Sequence, residues 1–265
     1  MHPLVSAAAL AVRLPGGAAF DPLLVVLDAT AVLPGERFDP ARAFADGHVP
    51  GARRFDIELF SDPDSELPHT VPGQARFRRL VEALGIGSDS RVVVYDQSGV
   101  ASAARAWWLF ELFGHDAVQV LDGGLPAWRA AGGAVETGEP APPAAPGRFV
   151  PRLRAARLAG LGDVAALSRD GFPGAVMLDA RSRARFAATV PEPRPGLPGG
   201  HVPGSRSLPF NELLDADKRF LPPEQLRARF AAAGWRPGDR VVTSCGSGLT
   251  AAVLSLGLAA CGLPA

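Results

Sequence analysis

The stretch Arg91–Asp96, RVVVYD, returns later in the chain as Arg240–Cys245, RVVTSC. Two shorter stretches return in the same order and at nearly the same distance: Leu27–Ala29 as Leu178–Ala180, and His48–Gly51 as His201–Gly204. Three ordered matches at one spacing indicate an internal duplication and therefore two homologous domains. The length of 265 residues also favours two domains over one.

Each half of the chain alternates short apolar runs with longer helical patterns. Leu23–Leu27 and Val92–Tyr95 are unbroken apolar runs rich in β-branched residues, which is typical of buried parallel strands. Ala103–Phe113 and Ala251–Ala260 have the composition of helices and follow a strand directly. These strand–loop–helix units predict the α/β class: two tandem domains, each a mainly parallel sheet flanked by helices.

A segment rich in proline and glycine separates the two halves. We expect a first domain over residues 1–134, an extended linker over 135–158 and a second domain over 159–265. In the first half, a strand pattern at Ala117–Asp122 and a helix around Trp128 follow the predicted helix. The sequence reaches Ala265 before the counterparts of these elements, so the second domain is expected to lack its last strand and helix.

The composition argues against several classes of partner. The chain has 27 basic and 27 acidic residues and a formal net charge of zero, which favours neither nucleic acid nor an anionic membrane. Two cysteines without zinc spacing predict neither a disulfide framework nor a metal site. Met1–Leu14 lacks the pattern of a signal peptide and is expected to form a first helix. We therefore expect a cytoplasmic protein without a membrane span or a cofactor.

The loop Cys245–Thr250, CGSGLT, lies between a predicted strand and a predicted helix. Its two glycines allow the backbone to curl so that successive N–H groups point inward, and the helix adds its positive N-terminal end. A thiol in this position should be a good nucleophile, and the same loop should stabilise a persulfide anion. Asp96 fills the matching place in the first half, so only the second half has a nucleophilic thiol. Cys261 lies late in an apolar helix and is interpreted as a core residue.

A phosphatase would use a related loop with arginine six residues after the cysteine. That position is Ala251, so the sequence does not favour phosphate chemistry.

The loop resembles the CGSGVT loop of the mercaptopyruvate sulfurtransferases in the rhodanese superfamily, with Leu249 in place of valine. Asp179–Phe186 (DARSRARF) and Pro191–Gly196 (PEPRPG) are also similar to that family, as is the repeated HVPG motif. The resemblance covers the whole chain apart from the expected missing element. It implies a sulfurtransferase that carries sulfur as a persulfide on Cys245.

The resemblance also implies roles for individual residues. Arg185 and Arg194 would bind the carboxylate and ketone of 3-mercaptopyruvate, because a guanidinium can contact two oxygens at once. The remaining members of the predicted site belong to the loop or to a proton relay: Gly246, Gly248, Leu249 and Thr250 would line the substrate site, and Ser247, His69 and Asp56 would form the relay. Arg181 and Arg183 are interpreted as solvated surface residues.

Two alternatives remain open. A thiosulfate sulfurtransferase would use the same persulfide, although the loops of that class that we know have basic residues after the cysteine, where this chain has Gly246–Gly248. A non-catalytic rhodanese-like binding module would result if an incomplete second domain were inactive. For the enzyme, we expect an acceptor thiol such as thioredoxin, or cyanide, to take the sulfur.

Overall fold

The computed structural model describes residues 1–33, 36–140, 142–194 and 196–263. Pro195 of the PEPRPG stretch and the terminal Ala265 lie outside this part of the chain. The first unit contains, in chain order, β1 (Leu4–Val5), α1 (Ala7–Ala11), β2 (Leu24–Asp28), α2 (Pro40–Asp46), β3 (Arg53–Arg54), α3 (Gln74–Ala83), β4 (Arg91–Tyr95), α4 (Ala101–Leu112), β5 (Val118–Leu121) and α5 (Gly124–Ala130).

The second unit repeats the central part of this order. It contains α6 (Leu161–Arg169), β6 (Ala175–Asp179), α7 (Arg183–Phe186), β7 (Arg206–Ser207), α8 (Pro223–Ala232), β8 (Arg240–Ser244) and α9 (Leu249–Ala260), with 3-10 turns at Ala155–Arg157 and Phe210–Leu213. Beyond the N-terminal segment, the predicted strands and helices are confirmed to within two residues. All pairings in both sheets are parallel, which confirms the predicted α/β class.

The sheets place the predicted loop at a shared edge of the fold. The first sheet has the order β1-β5-β4-β2-β3, and the second has β7-β6-β8. Asp28 pairs with Tyr95 in the first sheet, as Asp179 pairs with Ser244 in the second. Asp96 and Cys245 therefore begin equivalent loops at the carboxyl ends of central strands, where α/β sheets bind ligands.

The N-terminus differs in part from the expected first helix. The helix is present as α1, where the Ser6 hydroxyl accepts a hydrogen bond from Ala9 N at 3.2 Å and so caps its start. The preceding residues form β1, which pairs with β5 at the edge of the first sheet. A strand of two residues leaves no periodic pattern, so the sequence could not indicate it.

The segment expected as a linker lies on the first unit. Gly147 N donates to Glu82 O at 2.8 Å, and Arg152 N donates to Phe113 O at 2.8 Å. Arg154 forms an ion pair with Asp116 at 2.5 Å. The boundaries at residues 134 and 158 stay predictions.

The two units share a hydrophobic core. Helices α4 and α9 pack against each other, and one buried cluster includes Leu109 from α4 and Leu254 from α9. Helix α9 is apolar on nearly all sides, as a helix enclosed by neighbours should be. In the part of the chain that the structure describes, β8 pairs only with β6, and no helix is long and apolar enough to cross a membrane.

Candidate active site

The cysteine loop follows directly from β8 and leads into α9. Cys245 is partly buried, and its Sγ accepts a hydrogen bond from Gly248 N at 3.0 Å. Gly248 has φ +80°, a left-handed conformation that favours glycine, and it is the residue at which the chain turns into α9. The N–H group of Gly248 and the N-terminal end of a twelve-residue helix therefore face the sulfur.

The equivalent loop in the first unit shows what this geometry binds. The buried carboxylate of Asp96 accepts hydrogen bonds from the backbone N–H groups of Ser98, Gly99, Ser102 and Ala103, at 2.6 to 3.1 Å. The loop thus encloses an anion, here its own side chain. In the second unit the same turn surrounds a sulfur atom and is suited to its anionic forms.

The structure brings both predicted substrate arginines to the cysteine loop. Arg185 lies in α7, and its Nη2 is 2.9 Å from the place that a Cβ on Gly246 would take. Arg194 Nη1 donates to Gly246 O at 3.4 Å. The cavity between these groups is lined by Arg185, Glu192, Arg194, Cys245, Gly246, Ser247, Leu249 and Thr250, among others. Guanidinium groups and the thiol therefore share one small cavity, in which an anionic substrate could be held beside the sulfur.

Glu192 orients Arg185, a role that the sequence analysis missed. Its buried carboxylate accepts from Arg185 Nη2 at 2.5 Å and Nε at 3.2 Å, and it also pairs with Arg181 at 2.8 Å. The hydrogen bond from Arg185 holds the pKa of Glu192 below its ordinary value. The signal that could have found this residue was an acidic residue between two prolines in an arginine-rich stretch.

The interpretation of Arg181 as a surface residue was wrong. Its side chain is 10% exposed and forms ion pairs with both Asp179, at 2.6 Å, and Glu192. Arg183 agrees with the interpretation: it is 65% exposed and pairs with Glu212. Asp179 is the last residue of β6, and Glu192 lies in the loop that carries Arg194. Arg181 therefore links the end of that strand to this loop.

The predicted relay residues are only partly brought together. His69 and Ser247 line one cavity together with Gly248, and Ser247 also lines the cavity of Cys245. His69 is buried, and its Nε2 donates to Glu58 Oε1 at 2.7 Å. Its Nδ1 has no hydrogen-bond partner among the described residues. With the proton on Nε2, the free Nδ1 is able to accept one.

Asp56 does not contact His69 in the part of the chain that the structure describes. Its Oδ1 accepts from Glu58 N at 2.9 Å, and its Oδ2 lies 3.8 Å from Arg54. It therefore closes the turn after β3, while Glu58 takes the position expected for Asp56. The sequence could not separate the two carboxylates, because the intervening loop determines which of them faces the histidine.

Arg105 is a second residue that the sequence analysis missed. It lies in α4 of the first unit and is 6% exposed, and it lines the cavity of His69 and Ser247. The signal was present as a single arginine in the otherwise apolar stretch Ala103–Phe110. The site is thus built from both units.

Comparison with known proteins agrees with this geometry. A family model described as a rhodanese-like domain matches residues 21–131. The chain is 38% identical over 264 residues to the 3-mercaptopyruvate sulfurtransferase of Homo sapiens, covering 98% of this chain and 87% of that protein. It is 37% identical over 257 residues to the mitochondrial thiosulfate/3-mercaptopyruvate sulfurtransferase 1 of Arabidopsis thaliana, covering 90% and 67%.

A solved structure matches along the whole chain. The crystal structure of SseA from Escherichia coli, described with the rhodanese fold of 3-mercaptopyruvate sulfotransferases, has a TM-score of 0.88 at 34% identity. The match covers 100% of this chain and 96% of that one. The duplicated fold and its cysteine loop thus define a sulfurtransferase of the rhodanese type. The chain belongs to the 3-mercaptopyruvate sulfurtransferase family. The predicted family, fold class and enzyme class are confirmed, and the roles of individual residues stay predictions.

Proposed function

We propose that the chain transfers sulfur from 3-mercaptopyruvate to an acceptor through a persulfide on Cys245. The observation that carries this proposal is the cavity in which Arg185 and Arg194 face the cysteine loop. The substrate carboxylate and ketone oxygens match the paired N–H groups of the arginines. A substrate held in this way would direct its thiol toward Cys245 Sγ, which lies in a turn suited to an anion.

The first half-reaction forms one bond and breaks one. The Cys245 thiolate attacks the sulfur of 3-mercaptopyruvate, an S–S bond forms, and the C–S bond breaks with its electron pair going to carbon. The pyruvate enolate takes a proton and leaves as pyruvate, and the transferred sulfur remains on Cys245 as a persulfide. In the second half-reaction an acceptor nucleophile attacks the outer sulfur and regenerates the thiolate. Two half-reactions through a covalent intermediate predict ping-pong kinetics.

The proton for the enolate is assigned to the relay of Ser247 and His69. Both residues line the cavity beside the loop, and Ser247 also lines the cavity that holds Cys245. The contact between Glu58 and His69 supports a fixed imidazole. In this proposal Asp56 has only a structural role, in the turn that presents Glu58.

Thiosulfate is the second candidate donor. The neutral segment Gly246–Gly248 offers no charge of its own for a small dianion, which favours mercaptopyruvate. Arg185 and Arg194 would nevertheless attract either anion, and the Arabidopsis relative is named for both donors. Steady-state rates with each donor and cyanide as acceptor decide between them. A higher kcat/KM with thiosulfate would overturn the preference.

The acceptor is proposed to be a small nucleophile or an exposed protein thiol. Cyanide or a thiol such as that of reduced thioredoxin satisfies the second half-reaction. Chemistry that needs Cys245 as a free thiol suits a reducing compartment, and we propose the cytoplasm on that ground.

The decisive test is the mass of the chain after incubation with 3-mercaptopyruvate and removal of excess donor. The wild type and C261S are expected to gain the mass of one sulfur atom, and C245S is expected to gain none. Pyruvate release is expected to stop in C245S alone. A chain that folds but gains no sulfur would instead support the binding-module alternative.

A further inference from the structure

Arg105 is a buried cation that no carboxylate neutralises among the described residues. Its side chain lies within α4, where nearly every neighbour is apolar, and its Nε has no hydrogen-bond partner there. Burying an uncompensated charge is costly, so a guanidinium retained in such a place needs a compensating interaction. The first unit supplies part of one, through the ring of Trp108, whose centroid lies 4.7 Å from the guanidinium carbon, and through the carbonyl of His69.

The guanidinium also contacts the site, through one residue of its own unit and one of the second. Arg105 Nη2 donates to the carbonyl of His69 at 2.6 Å. Its Nη1 is 3.1 Å from the place that a Cβ on Gly248 would take, so it lies against the cysteine loop. His69 itself has φ +56°, a conformation that is uncommon for residues other than glycine. The hydrogen bond to its carbonyl helps to hold that conformation.

The charge on Arg105 interacts with the cysteine. Burial lowers the pKa of Arg105 to about 10, and the negative charge of a Cys245 thiolate opposes this lowering. Arg105 therefore remains protonated near neutral pH, and its attraction to the sulfur anion is mutual. An interaction of this kind is strengthened where water is excluded.

We propose that Arg105 is a positioning residue of the sulfur-transfer site. It presents a desolvated cation to the anionic sulfur on Cys245, both as thiolate and as persulfide, and it fixes His69 through its backbone. The inference rests on the proposed function of Cys245. It assigns the first unit, which has no nucleophile of its own in the matching loop, a direct part in the chemistry of the second.

Other charged groups face Cys245 from the elements packed around it. Arg185 from α7 and Arg194 from the following loop lie on its own side, and Glu192 lies between them and neutralises Arg185. His69 is the titratable group on the opposite side. Among these cations, Arg105 is the one most deeply buried, so water screens its charge least and its removal should change the reactivity of Cys245.

The test measures the thiolate without any sulfur donor. The rate of iodoacetamide alkylation at Cys245, read from the mass of its peptide, is followed against pH for wild type, R105Q, R105K and R53Q. Glutamine can still donate to the His69 carbonyl but has no charge. Arg53 is a matched control, because it is a partly buried arginine of the first unit that, like Arg105, donates to a backbone carbonyl, that of Leu84.

R105Q is expected to slow alkylation near neutral pH by about tenfold and to move the rate curve toward higher pH, while R53Q leaves it unchanged. A curve for folded R105Q that coincides with wild type overturns the proposal. If R105Q does not fold, R105K decides: it keeps the positive charge at a slightly different point, so slowing of no more than about threefold is expected, and a slowing of about tenfold or more contradicts the inference. Because alkylation needs no donor, a failure of the proposed function appears separately, as wild type that gains no sulfur from 3-mercaptopyruvate.

Discussion

At the scale of single residues, the site depends on how its arginines are held. Arg185 faces the cysteine loop because Glu192 accepts two of its N–H groups, and the same carboxylate accepts from Arg181. A guanidinium on a flexible side chain binds its substrate less tightly when no neighbouring group fixes its orientation. Glu192 is therefore expected to matter for substrate affinity although it carries the same charge sign as the substrate.

We expect E192Q to raise KM for 3-mercaptopyruvate about tenfold, with a smaller fall in kcat. Hydrogen bonds to charged groups contribute roughly 1.5–3 kcal/mol, and a loss near the lower figure corresponds to this factor. Steady-state kinetics measure it. E212Q is the matched control, since Glu212 pairs with the exposed Arg183 and should leave KM unchanged. Equal KM values for E192Q and wild type would contradict the role of Glu192.

The same residue gives a prediction about pH. Arg185 holds the pKa of Glu192 below its ordinary value of 4.5. A lowered folded-state pKa means that the stabilisation is complete above the ordinary value and is lost as pH falls through the folded value. The difference in urea stability between wild type and E192Q is therefore expected to be full near neutral pH and to shrink below about pH 4. A difference that grows with acidity would show that the sign is wrong.

The carboxylate partner of His69 can be identified by replacing Glu58 and Asp56 one at a time. E58Q removes the acceptor charge at 2.7 Å from Nε2, and we expect a several-fold fall in kcat with an altered pH profile. D56N alters a side chain that closes the turn and does not touch His69, so it should change stability more than the pH profile. The two profiles are measured with 3-mercaptopyruvate and a thiol acceptor. A larger change in the profile of D56N would restore Asp56 to the relay.

At the scale of elements, the turn from β8 into α9 holds the sulfur in place. Gly248 has φ +80°, and a Cβ there would contact Arg105. We expect G248A to lower the free energy of unfolding by about 1–2 kcal/mol through its backbone alone, and to slow Cys245 alkylation as well. Urea unfolding and peptide mass measure the two effects.

Gly132 provides the control for that substitution. It has φ +76° and open space around its Cβ position, so G132A has a similar backbone cost without a new contact. It should therefore lower stability and leave alkylation unchanged. Equal alkylation rates in G248A and wild type would mean that the contact with Arg105 does not matter.

The elements also show how far sequence reasoning reaches. The duplication and the apolar runs predicted both sheets. The cysteine loop and its resemblance to a known family predicted that Arg185 and Arg194 would line the cavity of Cys245. Glu192 and Arg105 were missed because their roles depend on partners brought close by the tertiary fold. Glu58 was missed for the same reason: a two-residue difference in one loop decides which carboxylate meets His69. Periodicity reports local structure, whereas these contacts form across 7, 11 and 36 positions of the chain.

At the scale of the whole molecule, the shared core predicts that the two units unfold together. Leu254 of α9 is fully buried in the cluster that also contains side chains of α4. L254A is expected to cost about 2–5 kcal/mol and to increase amide hydrogen exchange in β4 as well as β8. M177A, in the separate cluster of the second unit, should also increase exchange in both strands, because one cooperative unit loses stability throughout. Two calorimetric transitions, or β4 exchange unchanged in L254A, would contradict a single cooperative unit.

The loop around Asp96 has a consequence for how the enzyme can be observed. Because a carboxylate occupies that turn, the amide protons of Ser98 and Gly99 donate to an anionic group, whereas the matching loop holds a sulfur atom whose charge changes as Cys245 passes between thiol, thiolate and persulfide. The amide chemical shifts of the first loop therefore serve as an internal reference for those of the second. As the enzyme turns over, the amide resonances of Ser247 and Gly248 should shift toward those of Ser98 and Gly99 and then return. The fraction of Cys245 that carries sulfur can therefore be measured in solution from these two pairs of signals.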